Sequence, residues 1–399
     1  MTGQADVSLP AVLRSHPVDP TEPIETLEQL LNHLHQAAYL EMSTIPMYLY
    51  AGFSIETRGY SQWDPGVGAS RLIRSIVVEE MLHLTLVRNL LVALGDGGNV
   101  TFYDQGFLPR YPSLMLHRWP PLELHLGRCT TEQVRDVFME FERPKPNPWD
   151  IPPPEGWYST IGELYRAVED GLRRLDQNMG PKLWANNQPD VQYVAAYWNK
   201  DGGGEPLLVH DLQSALDALK TIVEQGEGME PGTPSVPIDP VHPKAGLDEL
   251  PHYTKFQRIA EGIEGIGTVR SLPTDPHAPD YAGDAGLTAL NSLFNAVYCY
   301  VLHMLDVIFR TSWKDLKAGE SNLRYHLERS FISVMQGVLV TLAETMAAVP
   351  AGPTFEHWPL PERGRKAHLV ELCDKAMASF PRLGGDNSVR WLLGKLPDV

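Results

Sequence analysis

Residues 72–94 read LIRSIVVEEMLHLTLVRNLLVAL, and the fold turns on how this stretch is understood. Ile73, Ile76, Val77, Leu84, Val87, Leu91 and Leu94 recur at helical spacing, while Leu82, Leu86 and Leu90 make the other side apolar as well. A helix apolar nearly all round lies buried at the centre of a domain. Into its inner stripe the sequence sets Glu80, seven residues after Ile73 and seven before Val87, followed three residues later by His83. Residues three apart share a helix face, so carboxylate and imidazole converge there. A bare carboxylate on a buried face is very costly, whereas cations held by shared ligands offset that cost.

Working outward, the segment before this one repeats the device. After the punctuation Asp19-Pro20-Thr21-Glu22-Pro23, the apolar positions Leu27, Leu30, Leu34, Ala37 and Ala38 describe a helix, and Glu41 falls on its stripe seven residues after Leu34. Pro46 is expected to bend or interrupt that helix. A second Glu-x-x-His, Glu249-Leu250-Pro251-His252, follows far downstream, preceded by Glu227. Bundles that hold two metals take a Glu from each of two helices and a Glu-x-x-His from each of the other two, and the chain offers this arrangement in order. With 14 histidines about one such pair is expected by chance; two are present. Pro251 fits only if its helix starts near Asp248, where the first turn needs no N–H. Val223-Glu224-Gln225-Gly226-Glu227-Gly228 offers two carboxylates for the remaining place. Glu227, four after Val223 and eight after Leu219, is favoured by phase, and Glu224 is the alternate.

Composition excludes several classes. The net charge of −17, from 50 acidic and 33 basic residues, comes without a basic run that could follow a phosphate backbone, so nucleic acid is not an expected partner. Cys129, Cys299 and Cys373 lie far apart with no C-x-x-C, which suits a reducing compartment. No stretch reaches about 18 uninterrupted apolar residues, and no signal-like start is present. The expectation is a soluble, cytoplasmic protein without a membrane partner.

The organisation reads as all-α: an N-terminal extension over 1–22, a metal-binding domain over 23–350 with a large insertion over about 96–205 between the second and third core helices, and a C-terminal extension over 351–399. Val100 to Leu126 is Pro-punctuated and irregular, Thr131 to Glu142 a short helix, Pro144 to Pro154 a stiff linker, and Thr160 to Leu175 another helix. Leu207 to Gly226, a helix from Asp248 to Ile263, Leu287 to Arg310 and Asn322 to Ala348 complete the helical list. His33 and His35, which flank Leu34, are expected to be partly exposed, and His303 to pack in the core. Asp239-Pro240-Val241-His242 sits in a Pro-rich loop unsuited to a preformed site. Tyr39, Tyr48 and Tyr253 read as aromatic packing rather than as donors behind the ligands. Trp119, Trp157 and Trp184 are candidates to line a substrate pocket.

With these residues set out, the chain resembles the ferritin-like family of the iminophenyl-pyruvate dimer synthase type, known from violacein and related bisindole biosynthesis. The resemblance runs from about Leu27 to Ala348. It rests on Glu41, Val78-Glu79-Glu80-Met81-Leu82-His83, Ser159-Thr160-Ile161-Gly162-Glu163-Leu164-Tyr165, Glu224-Gln225-Gly226-Glu227-Gly228 and His252-Tyr253 with Phe256. It implies a ferritin-like bundle, metal binding and a role in secondary metabolism with amino-acid-derived substrates. The expected function is an oxidoreductase using two metal ions, iron first with manganese or a mixed pair as alternatives, on O₂ or peroxide and a small molecule. Its ligands would be Glu41, Glu80, His83, Glu227, Glu249 and His252, and an electron donor or a second copy could assist. The alternatives are a metal-handling, ferroxidase-like protein and a scaffold subunit of a biosynthetic complex.

Overall fold

Thr26 starts the first helix by a reciprocal cap: its hydroxyl accepts the Gln29 N–H at 3.2 Å, and Gln29 Oε1 accepts the Thr26 N–H at 2.9 Å. In the computed structural model, which describes residues 23–57, 64–146, 150–154, 156–194, 204–226, 250–314 and 323–399, helix α1 then runs Leu27–Ser54. Pro46, expected to bend or interrupt this helix, lies inside α1 without interrupting it. Twenty of its residues are buried, and that packing outweighs an interior proline's cost of about 3 kcal/mol.

Helix α2, Val67–Ala93, lies along α1 as the central buried helix that its sequence describes. The next segment is irregular apart from a small hairpin in which β2 (Ser113–Leu114) pairs antiparallel with β3 (Glu123–Leu124); an earlier strand, β1 (Ile55–Glu56), pairs with β4 (Thr268–Val269). Helix α3 covers 131–141 as Thr131–Gln133, a π-type turn Val134–Phe138, and Met139–Phe141. Helix α4, Ile161–Met179, packs on α1, and α5, Leu212–Gly226, packs on α2 and α4. Within the expected insertion, α3 and α4 thus both reach the walls of the helical group.

Helix α5 starts later than expected because residues before it are held by side-chain hydrogen bonds to their backbone. Asn89 Nδ2 donates to the Leu207 carbonyl at 2.9 Å, and the Gln192 side chain clamps both the N–H and C=O of Val209. Helix α6 runs His252–Ala260 and packs on α2 and α3. Pro251 is its N-cap, so the expected start near Asp248 is corrected: the backbone at Pro251 is extended, and His252 is the first helical residue.

Helices α7 (Ala285–Ile308) and α8 (323–347, with a π-type turn over Val334–Leu339) pack together, and α9 (Arg365–Met377) covers α7. The short α10, Val389–Leu393, seats on α9 and the α8 turn. By length and mean hydropathy α7 and α8 each could cross a bilayer, but 72% of the α7 window is buried inside this fold, against 39% for α8. The all-α architecture expected from the sequence is present.

Candidate metal centre

Helical spacing on α1 points Glu41, Thr44 and Tyr48 toward α2, at i, i+3 and i+7. Glu80 and His83 answer from α2, and His252 from the first turn of α6. The ligand atoms of Glu80, His83 and His252 all lie within 4.8 Å of one another. His252 Nδ1 is 2.8 Å from Glu80 Oε1, and His83 Nδ1 is 3.4 Å from Glu41 Oε2 and 4.0 Å from Glu80 Oε1. The two imidazoles stand 5.3 Å apart between centroids, nearly parallel at 25°. Four of the six expected ligands therefore meet. Glu227 and Glu249 lie outside the described residues, as do Asp239 and His242. The alternate Glu224 lies 3.6 Å from the Lys220 ammonium in an i,i+4 pair.

The structure adds residues that the sequence analysis did not place among the ligands. Glu142, just past the end of α3 and 4% exposed, reaches 3.6 Å from His252 Nδ1 and accepts a hydrogen bond from Tyr48 at 2.5 Å. Tyr48, expected only to pack, is thus a donor as well as part of an aromatic cluster with Phe138 and Phe256. Tyr165 on α4 donates to Glu41 Oε1, and Thr44 donates to Glu80 Oε2 at 2.6 Å. Glu79, adjacent to Glu80 on α2, accepts from His252 Nε2 at 3.0 Å.

The donor set fits a bound cation. Each imidazole has its Nε2 occupied, His252 by Glu79 and His83 by Gln225 Oε1 at 3.0 Å. A neutral ring whose Nε2–H is donated carries its lone pair on Nδ1. Both Nδ1 atoms then face carboxylate oxygens, an arrangement of lone pairs that repel one another unless a proton or a metal cation lies between them. His252 Nδ1 is buried, 2.8 Å from Glu80 Oε1, and makes no hydrogen bond among the described residues.

Electrostatics without a cation show the same demand. Burial, then the neighbouring Glu142, raises the Glu80 carboxyl to about 7. Burial favours neutral imidazoles, but for His83 the contact with Glu41 outweighs it, and for His252 Glu142, Glu79 and Glu80 do, so both pKa values rise. Burial would likewise raise Glu41, yet His83 and Tyr165 hold it below the ordinary range. Tyr48 and Tyr165, pushed well above the usual phenol value first by burial and then by adjacent carboxylates, remain protonated donors.

A cavity of about 20 Å³ opens against these groups, lined by Glu41, Glu80, His83, Glu142 and Tyr165 with an apolar side of Phe141, Ile161, Ile222 and Val223. That is room for an ion or one water-sized molecule. Among the described residues no tryptophan lines it: Trp119 and Trp157 pack edge to face at 6.1 Å, and Trp184 donates to Asp176. A larger cavity, about 260 Å³ between α8 and α10, shares none of these residues.

Two other expectations are corrected here. His33 and His35 are buried, at 4% and 7% exposure, because α1 is covered on more than its α2 side; His35 Nε2 meets Asp96 Oδ2 at 2.6 Å and His33 Nδ1 meets the Gln29 carbonyl at 2.7 Å. His303, expected to pack in the core, is only half-buried and meets the half-buried Tyr103 edge to face; Tyr39 packs edge to face on Phe107, as expected.

A family profile described as Ferritin-like matches residues 34–261, the span that contains every residue of this centre. The chain belongs to the Ferritin-like family. This ferritin-like chain is 27% identical over 419 aligned residues to dichlorochromopyrrolate synthase of Lentzea aerocolonigenes, with 88% of the chain and 38% of that protein covered. It is 26% identical to 2-imino-3-(indol-3-yl)propanoate dimerase of Chromobacterium violaceum, with 88% of the chain and 34% of that protein covered. It spans little more than a third of the length of these relatives. The crystal structure of a ferritin-like protein from Caulobacter vibrioides matches with a TM-score of 0.55 at 23% identity, covering 83% of this chain and 99% of that one, which shows the shared fold.

Proposed function

We propose that this ferritin-like chain is a metal-dependent oxidoreductase of secondary metabolism. It would hold a pair of metal ions, iron first, and act with O₂ or peroxide on a small amino-acid-derived molecule. The observation that carries the reading is the unpartnered Nδ1 of His252 facing Glu80 and Glu142 inside a cluster of buried carboxylates. The names of the two curated relatives, a synthase and a dimerase of an indolyl imino acid, support the substrate class.

Glu41, Glu80, His83, Glu142 and His252 would hold the metal, with Glu227 and Glu249 as further sequence-based candidates. Bound there, a redox-active metal pair supplies electrons to O₂ or peroxide. The protein's own residues do the rest. Glu79 and Gln225 fix the imidazole tautomers, and Tyr48, Thr44 and Tyr165 satisfy carboxylate oxygens that would otherwise be orphaned in a dry site. Phe141, Ile161, Ile222 and Val223 exclude bulk water from one side. A cytoplasmic setting, in which the three buried cysteines stay as thiols, belongs to the same reading.

A second reading, oxidation of the metal itself without an organic substrate, is favoured by the size of the cavity at the carboxylates. The two separate in one experiment. Metal content by plasma mass spectrometry is expected to be about two ions per chain after anaerobic reconstitution, as in two-metal sites generally, and reduced in Glu80→Ala and His252→Ala. O₂ consumption that rises on adding aromatic 2-amino or 2-imino acids supports the oxidoreductase; consumption that depends on ferrous ion alone supports the second reading. Absence of any bound transition metal in the wild type would sink both.

A further inference from the structure

Glu79, which fixes the His252 tautomer, also forms an ion pair with Lys255, a residue that the metal reading does not use. Neither side chain has any exposed surface, and the Lys255 ammonium lies 2.5 Å from Glu79 Oε2, its one carboxylate partner among the described residues. The same oxygen accepts His252 Nε2–H at 3.0 Å. His252 and Lys255 are three apart, so one face of α6 brings both donors to one carboxylate oxygen on α2. Apolar residues of similar volume fill such a space at less cost than a buried ion pair does, so packing alone does not account for it.

Glu79 also sits one position from Glu80, on a helix whose next carboxylate would be a metal ligand. An unrestrained Glu79 is a competing ligand. An ammonium and an imidazole N–H on Oε2 tie it to α6 instead.

We propose that Glu79 and Lys255 are positioning residues for the metal: Lys255 pins Glu79, Glu79 holds His252 Nε2–H, and His252 Nδ1 is thereby presented to the ion while Glu79 stays out of the ligand set. This rests on the metal-site reading above, and its test separates the two.

Binding of Fe(II) and Co(II) to the full chain is measured anaerobically by competition with a chelating dye, for the wild type, Glu79→Gln, Lys255→Met and the double variant. All four are expected to take the same number of ions. Each single variant should bind roughly 10–100-fold more weakly, the usual effect of losing the partner behind a histidine ligand. The double variant should be no weaker than the worse single one, because residues that act through one another do not add. Circular dichroism of the metal-free forms is expected to be unchanged. The double variant leaves no uncompensated charge, so it remains informative if a single one fails to fold. Wild-type affinity in Glu79→Gln and in whichever Lys255 variant folds overturns the inference, as does a fully additive loss. Loss of an ion from Glu79→Gln at saturating metal would make Glu79 a ligand and overturn it too. A wild type that binds no metal overturns the metal-site reading itself, and this inference with it.

Discussion

Tyr48 donates a 2.5 Å hydrogen bond to Glu142 and thereby ties the middle of α1 to the end of α3, 94 positions away in the chain. The bond holds Glu142 at 3.6 Å from His252 Nδ1, on the open side of the Glu80, His83 and His252 cluster. A carboxylate at a helix end has no periodicity of its own. Its place at the centre depends on this one phenol and on α3 packing against α6.

Glu142→Ala is expected to lower bound metal as far as His252→Ala does, while Glu224→Ala, whose parent carboxylate pairs with Lys220 at the surface, leaves it at the wild-type level. Plasma mass spectrometry after anaerobic reconstitution decides this. Full metal content in Glu142→Ala removes that residue from the ligand set and returns the place to Glu227.

Tyr165→Phe takes away the donor to Glu41 Oε1. A hydrogen bond to a charged group contributes about 1.5–3 kcal/mol, so urea unfolding of the metal-free protein should show a loss of that order. An unchanged midpoint would mean that Glu41 is satisfied without Tyr165.

Asp306 accepts the backbone N–H groups of Phe102 and Tyr103 at 2.8 and 2.9 Å, yet burial raises its carboxyl from 3.8 to about 6. A folded-state pKa above the unfolded one means that the folded protein binds the extra proton between these values. The associated stability is full below 3.8 and is lost as pH rises through about 6. Asp306→Asn lacks this dependence. Its melting temperature relative to wild type is therefore expected to be more favourable at pH 7 than at pH 4.5, and a constant difference would refute the shift.

Arg324 joins three segments. Its guanidinium pairs with Glu328 at 2.6 Å and donates to the carbonyls of Ile308, Thr311 and Gln192, with both charged side chains almost wholly buried. Removing one partner of a buried pair costs about 3–5 kcal/mol, so Arg324→Ala should lose that much in denaturant unfolding. Arg324→Met with Glu328→Leu, which leaves no lone charge, should recover most of it. A double variant as unstable as Arg324→Ala would place the cost in the lost carbonyl bonds instead.

Much of the centre was legible from residues 72–94. Local periodicity alone put Glu80 and His83 on one buried face, and α2 is the central helix that this pattern demands. The same stretch held a further signal. A helix apolar nearly all round leaves no solvent face for Glu79, so its burial, and its need for a partner, follow from the residues around it. Glu41 was legible for the same reason as Glu80, because seven-residue spacing from an inward leucine survives whatever packs on the helix.

Tertiary structure decided the partners. Helical phase says which way a side chain points from its own axis, but not what stands opposite. Nothing in the spacing of Glu142, Tyr165 or Gln225 relates them to residue 80, and only the packing of α3, α4 and α5 brings them there. The sequence pattern foresaw a helical turn before His252, but Pro251 caps the helix and makes His252 its first residue. The amino-acid sequence by itself determined a carboxylate and imidazole pair on the buried face of one helix. The fold determined which other groups share it, because long-range contacts arise from how helices pack and leave no periodic trace in the chain.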